Sequence, residues 1–265
     1  MEVEIDLTKS VDQNAGIYFD LAKKSRKKLE GANAALLETK KKIKVLEQNE
    51  AKFWQEEKNK QAKKERKREW YERFHWFFSS EDFLCLGGKD ATSNEIIIKK
   101  HTDKDDLVLH TEMPGSPFFV IKNGQAAGKK TIEEAAQSVA VHSRAWKSGH
   151  ASADVFYVKP EQVTKEARAG EHLAKGSFMV YGTKNFLHPK VEYALGLVNE
   201  QIIGGPIESV SKKTTKYVIV VPGKEKKGAL AKKIRSLLKG GDLDDLDRFL
   251  PAGGGDIKKK SLNNF

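Results

Sequence analysis

Sulfur is nearly absent from this chain: one cysteine, Cys85, and three methionines stand among 265 residues. A lone thiol builds neither a disulfide framework nor a cysteine metal site, so the sequence reads as that of a protein from a reducing compartment, with Cys85 buried and inert within Phe83-Leu84-Cys85-Leu86. No apolar run approaches the roughly 20 residues that span a bilayer, and the opening Met1–Ser10 segment is too acidic for a signal peptide, which predicts a cytoplasmic protein with no membrane partner. The marks of an enzyme are missing as well. There is no G-x-S-x-G elbow, P-loop or dinucleotide fingerprint, and the seven histidines (His75, His101, His110, His142, His150, His172 and His188) fall at no metal-ligand spacing. Asp103, Asp105 and Asp106 crowd around Lys104 in a predicted loop, where solvent relieves their repulsion and nothing tunes an acid against a base. The chain is therefore expected not to be an enzyme and to need no metal or cofactor.

Positive charge is plentiful. Lys and Arg total 48 against 37 Asp and Glu, a formal net charge of +11, and the mean hydropathy is −0.59. An excess of this sign attracts polyanions at long range, and nucleic acid is the commonest of them.

Proline is absent before Pro114, and Gly16 and Gly31 are the only glycines before Gly87. Ser10-Val11-Asp12-Gln13 has the form of a capping box, so one long helix is expected from about Ser10 to Phe78. Alternating steps of four and three from Val11 to Phe53 meet apolar residues at ten of thirteen positions, the seam of a coiled coil that needs a partner helix. A second copy, a fold-back of this chain or another polypeptide would each complete it. Past Phe53 the seam fails, and Lys58–Glu69 holds seven basic and two acidic residues. A solvated helix face and a phosphate-tracking surface both account for that run. Six aromatic residues then fall between Trp70 and Phe78. They are read as anchors where the helix enters a core, with base stacking as the alternative.

The remainder reads as an α+β domain with a mostly antiparallel sheet. Strands are expected at Phe83–Leu86, Leu107–His110, Phe118–Ile121, Val155–Val158, Ser177–Tyr181 and Tyr217–Val221. Helices are expected at Ser93–Lys100, Thr131–Ser148, Lys226–Leu238 and Asp242–Leu250, and a disordered basic tail from Pro251. The chain thus divides into an arm (1–69), a central domain (70–190), a C-terminal extension of that domain (191–250) and the tail (251–265). Gly87-Gly88-Lys89-Asp90 reads as a tight turn, with a phosphate cradle as the alternative. His110 closes an apolar strand before Pro114-Gly115, a position from which a side chain points off the sheet into a groove.

Four ordered segments carry a resemblance: WYERFHWFFSSEDFLCLGGKDATSNEIIIKK (Trp70–Lys100), DLVLHTEMPGSPFFVIKNG (Asp106–Gly124), TIEEAAQSVAVHSRAW (Thr131–Trp146) and GSFMVYGTKNFL (Gly176–Leu187). Together they resemble the NFACT-R module of the NEMF/RqcH-type ribosome quality-control factors. Residues 4–28 are similar to the stretch where those factors enter the returning arm of their coiled coil. In that family the module sits on the large ribosomal subunit beside a stranded peptidyl-tRNA, and full-length members recruit a tRNA and extend the stalled chain. The resemblance implies rRNA or tRNA, and the large subunit itself, as partners. A protein–protein adaptor working through the arm is the alternative. On this basis Lys89, Asn94, Lys99, Lys100, His110, Arg144, Lys175, Lys184 and Asn185 are the candidate RNA contacts, the basic ones for phosphates and the Asn and His for sugars or bases. Two departures limit the transfer. No counterpart of the family's NFACT-N domain is seen, so no residue is assigned to tailing, and Pro117 stands where bacterial relatives tend to carry a histidine.

Overall fold

The computed structural model of the chain describes residues 4–48, 69–166 and 173–261. It forms two compact units, Met1–Arg68 and Glu69–Phe265. In the first, helix α1 spans Val11–Gln48. Its start is the expected capping box: Ser10 N donates to Gln13 Oε1 (3.0 Å) and Gln13 N to Ser10 Oγ (3.2 Å). Asn14 is buried because its amide answers the backbone of Asp6, Lys9 and Ser10, which folds the leading segment onto the helix. The seam residues Leu29, Leu36, Ile43 and Leu46 are half exposed or more. The basic run Lys58–Arg68 and the end of the seam at Phe53 lie outside the described residues.

The second unit opens differently from the expected helix. Trp70–Arg73 is one 3-10 turn, and strand β1 follows at His75–Phe78. The aromatic cluster alternates rather than winding: Phe77 enters the main core, while Tyr71, Phe74 and Trp76 pack on the opposite side. That period of two belongs to a strand, which is why the helix cannot continue to Phe78.

Strands β2 (Leu84–Gly87), β3 (Leu107–Thr111), β4 (Phe119–Ile121) and β5 (Val155–Val158) join β1 in a six-stranded sheet, closed at one edge by β8 (Asn185–Leu187), in the order β1-β2-β4-β3-β5-β8. A two-stranded pair, β6 (Val163–Thr164) and β7 (Met179–Val180), lies outside it. A second sheet takes β9 (Tyr193–Val198), β10 (Gln201–Gly205), β11 (Tyr217–Glu225) and β12 (Gly255–Ser261) in the order β10-β9-β11-β12. Every strand pairing among the described residues is antiparallel.

Alternation sorts the first sheet into two faces. Cys85, Leu107, Leu109, Phe119, Ile121 and Val155 face the main core. Leu86, Val108, Phe118, Val120, Phe156 and Val158 face a second cluster closed by Ile97 of helix α2 (Ala91–Lys100). The main core is shared. Helix α3 (Lys129–His142) contributes Ala135, Ala136, Val139 and Ala140, and the second sheet contributes Tyr193, Leu195, Val218 and Val220. Burial raises the Cys85 thiol well above its usual range, so it stays protonated and inert.

Several sequence expectations are corrected. The helix drawn over Thr131–Ser148 breaks at Ser143, whose hydroxyl accepts from Ala145 N and starts the short helix α4 (Arg144–Lys147). Asp106 is fully buried rather than solvated, with its carboxylate accepting from Lys122 Nζ and from the backbone of Asp103 and Asn123. The segment from Pro251 is no disordered tail up to Ser261: β12 pairs along β11, Ile257 packs on the core, and Trp146 Nε1 donates to Gly254 O (2.9 Å). Helices α5 (Ile207–Lys213), α6 (Lys227–Leu238) and α7 (Leu243–Phe249) complete the unit.

Candidate nucleic-acid interface

A cleft of about 1170 Å³ opens where the strand ends of the first sheet meet α6 and α7. Seven cationic side chains line it, Lys89, Arg144, Lys147, Lys175, Lys184, Lys227 and Arg248, against three carboxylates, Asp90, Glu112 and Asp247. Two of these cations pair with cleft carboxylates, Lys184 with Glu112 (2.8 Å) and Lys227 with Asp247 (3.3 Å), and Arg248 pairs with Asp245 (3.5 Å). Lys89, Arg144, Lys147 and Lys175 make no ion pair among the described residues. Unpaired cations gathered in one concavity focus a positive potential there.

One wall is the turn from β2 into α2. A Cβ on Gly88 would sit 1.9 Å from Asn94 Oδ1, so only glycine lets the chain pass under that amide. Asn94 is buried and lines the cleft; its Oδ1 accepts from Phe118 N (3.1 Å), which fixes the amide's orientation. Asp90 caps α2 through Ser93 N (2.7 Å). The Gly-Gly pair is thus explained by a tight turn with a capped helix, and the cap carboxylate occupies the place where a phosphate cradle would need donors. The loop bearing Lys175 rests on this wall. Gly176, at φ +76, lies so near Ala91 that a Cβ would meet its backbone at 2.5 Å, and Gly176 N donates to Glu95 Oε2 (3.2 Å).

The opposite wall is the Met113–Pro117 loop. Thr111 Oγ1 donates to Ser116 Oγ (2.8 Å), Ser116 Oγ to Met113 O (2.8 Å), and Gly115 lets the Arg144 guanidinium approach the loop. His110 lines the cleft, as its strand-end position suggests. Its Nε2 lies 3.1 Å from Ser116 O and its ring stacks on Phe118 at 4.1 Å, while burial lowers its pKa. Between the walls, His75 of β1 and His142 of α3 stack at 3.8 Å with an interplanar angle of 19°. Burial first, then for His75 the neighbouring His142, and for both the charges of Lys89 and Lys227, lower the two imidazoles, with His142 brought down to about 3. Lys89 is itself pushed below the usual lysine range, by desolvation and then by Arg248 and Lys227.

Of the nine candidate contacts, Lys89, Asn94, His110, Arg144, Lys175 and Lys184 line this cleft. Lys99 does not; it pairs with Glu95 (2.7 Å) one helical turn back. Lys100 lies near His101, whose pKa it helps to lower together with Arg73 and Lys122. Asn185 sits on edge strand β8, where its Nδ2 makes a long contact of 3.5 Å to Tyr157 O. His75, His142, Lys147, Lys227 and Arg248 were not legible as site residues. They come from five separate elements, and no spacing in the sequence connects them. Among the described residues no group of three or more His, Cys, Asp or Glu gathers in a way that would hold a metal ion, and no helix is long and apolar enough to cross a membrane.

Residues 73–182 match the family model described as the NFACT protein RNA binding domain. Over 209 residues the chain is 41% identical to the archaeal Rqc2 homolog aRqcH of Methanocaldococcus jannaschii, covering 76% of this chain and 31% of that protein. It is 37% identical over 183 residues to the ribosome quality control complex subunit NEMF of Homo sapiens, covering 66% and 16%. To ribosome quality control complex subunit 2 of Saccharomyces cerevisiae it is 24% identical over 198 residues, covering 74% and 19%. The chain therefore spans a third or less of the length of these relatives. A solved structure of the C-terminal part of the fibronectin/fibrinogen-binding protein from Streptococcus suis aligns with a TM-score of 0.39 at 19% identity, covering 46% of each chain.

Proposed function

We propose, on the premise that this chain belongs to the NFACT RNA-binding family of ribosome quality-control factors, that it binds RNA of the stalled large ribosomal subunit, rRNA or tRNA, through the basic cleft. One observation carries the reading: a cleft built largely from the matched residues collects seven cations, four of them without a carboxylate partner among the described residues. Phosphate contacts of this kind supply affinity and position, while polar groups such as Asn94 Nδ2 are suited to a sugar or base edge. The activity is binding rather than catalysis, and the place of action is the cytoplasm.

Helix α1 supports a second role for the same protein. Leu29, Leu36, Ile43 and Leu46 form an exposed apolar line of coiled-coil spacing, suited to a partner helix from a second copy or another polypeptide. In the adaptor reading, that contact is the function and RNA is incidental. Sedimentation with intact ribosomes and with free large subunits carrying peptidyl-tRNA tests both readings. Preference for the free subunits that disappears in a Lys89→Glu, Arg144→Glu, Lys175→Glu variant supports the cleft reading. Equal co-sedimentation of that variant supports the adaptor.

A further inference from the structure

The matched family interval ends at residue 182, yet one wall of the cleft comes from beyond it, through Lys227 of α6 and Asp247 and Arg248 of α7. The helices that carry them are anchored in the core. Leu230, Ile234 and Leu238 of α6 and Leu246 of α7 are fully buried in the shared core. Helix α6 begins at Lys227 with no side-chain cap from Lys226 and no acidic residue in its first turn, so its positive end carries no compensating carboxylate of its own.

Across the cleft stands Lys89, which has no ion-pair partner among the described residues and is close enough to Arg248 and Lys227 for both to disfavour its proton. Asp247 and Asp245 answer Lys227 and Arg248 only through pairs that are substantially solvent-exposed. Beside this group the His75 and His142 rings make no hydrogen bond to the protein among the described residues. Three convergent cations, an uncapped helix start and two neutral imidazoles with unused ring nitrogens are together complementary to a single anion with several acceptor oxygens.

We infer that Lys89, Lys227 and Arg248 form a subsite for one phosphate group of the bound RNA, so that the C-terminal extension is part of the RNA-binding surface. This rests on the RNA reading of the cleft. The phosphate is either a backbone diester or a terminal monoester, which share the oxygens the subsite would hold.

The full chain is titrated with a fluorescein-labelled single-stranded RNA across a salt series, as wild type and as Lys89→Ala, Lys227→Ala, Arg248→Ala and their double combinations. Circular dichroism and thermal melts check that each is folded. Lys224→Ala, on exposed backbone outside the cleft, is the control. Each single variant should lower the slope of log K against log salt by up to about 0.7, the value for one single-strand phosphate. The double variants should lose no more than the singles, because all three cations share that phosphate. RNAs ending in a 3′- or 5′-phosphate or in hydroxyls distinguish the sources: a gain with one phosphorylated end assigns a monoester, and equal affinities assign the backbone. Wild-type slopes in folded subsite variants, while Arg144→Ala and Lys175→Ala weaken binding, would overturn the subsite and leave the RNA reading standing. Absence of salt-dependent RNA binding by the wild type would overturn both.

Discussion

Acid should weaken this fold through the stacked imidazoles. His142 has its pKa brought down to about 3, and His75 lies well below 6.5. In the unfolded chain both return to about 6.5. The unfolded state therefore binds more protons below that value, so the stabilisation is complete above pH 6.5 and is lost progressively as the pH falls toward the folded-state values. At pH 5.5 keeping the His142 imidazole neutral costs on the order of 1 kcal/mol relative to pH 7.5, and His75 acts in the same direction. For a chain of this size each kcal/mol corresponds to a melting point lower by about 2–4 °C. Glu134 works in the opposite direction, since burial raises its pKa and its charge is relieved in acid. The carboxylates with lowered values, such as Asp90 and Glu95, act at lower pH than this window. The contribution of His142 is isolated with His142→Phe, whose ring can stack on Phe119 and meet Tyr193 edge-on as the imidazole does. Urea titrations of wild type and variant at pH 7.5 and 5.5 should show the variant losing on the order of 1 kcal/mol less on acidification. Identical losses in the two proteins would refute the assignment of neutral, burial-shifted imidazoles.

Four cleft cations without ion-pair partners among the described residues give an expected salt slope of about −2.8 to −3.6 for RNA binding, or roughly a 50- to 150-fold loss of affinity between 50 and 200 mM salt; anisotropy titrations read it directly, and a slope near zero contradicts it. Gly176→Ala places a methyl against the backbone of Ala91 at a φ of +76 and should cost about 1–3 kcal/mol, with faster proteolysis of the loop carrying Lys175 as the readout. Asn94→Ala leaves the buried Phe118 N–H without its acceptor and should cost about 1–3 kcal/mol in denaturant titrations, more than an exposed Asn→Ala.

Elements with a single clear period could be read from the sequence. The capping box at Ser10, the apolar strands Leu107–His110 and Val155–Val158, and the amphipathic helix from Lys226 all declare themselves locally, and the structure reproduces them within a residue or so. Strands β9 and β10 did not. Glycines interrupt their pattern, and these are tolerated because Gly196 lies under Val210 and Thr214 and Gly204 under Phe249. Their hairpin turn is also disguised: Asn199 and Glu200 both take positive φ, a turn for which Asn-Gly is the usual signal. The glycines before β12 read as disorder because the cover that Trp146 gives them comes from more than a hundred residues upstream. The site was half legible for the same reason. Lys89, Arg144 and Lys175 fall in or beside segments whose resemblance marked them, whereas Lys227 and Arg248 reach the cleft only through tertiary packing.

Because the two sheets share one core, the stretch that the family model matches is not a unit that can be cut out. Severed after residue 182, it would present Leu109, Phe119, Val139 and Trp146 to water where Leu195, Val218, Val220 and Ile234 had covered them. Such a fragment would clump, and a weak signal from it in a binding assay would measure the loss of its other half rather than any indifference to RNA.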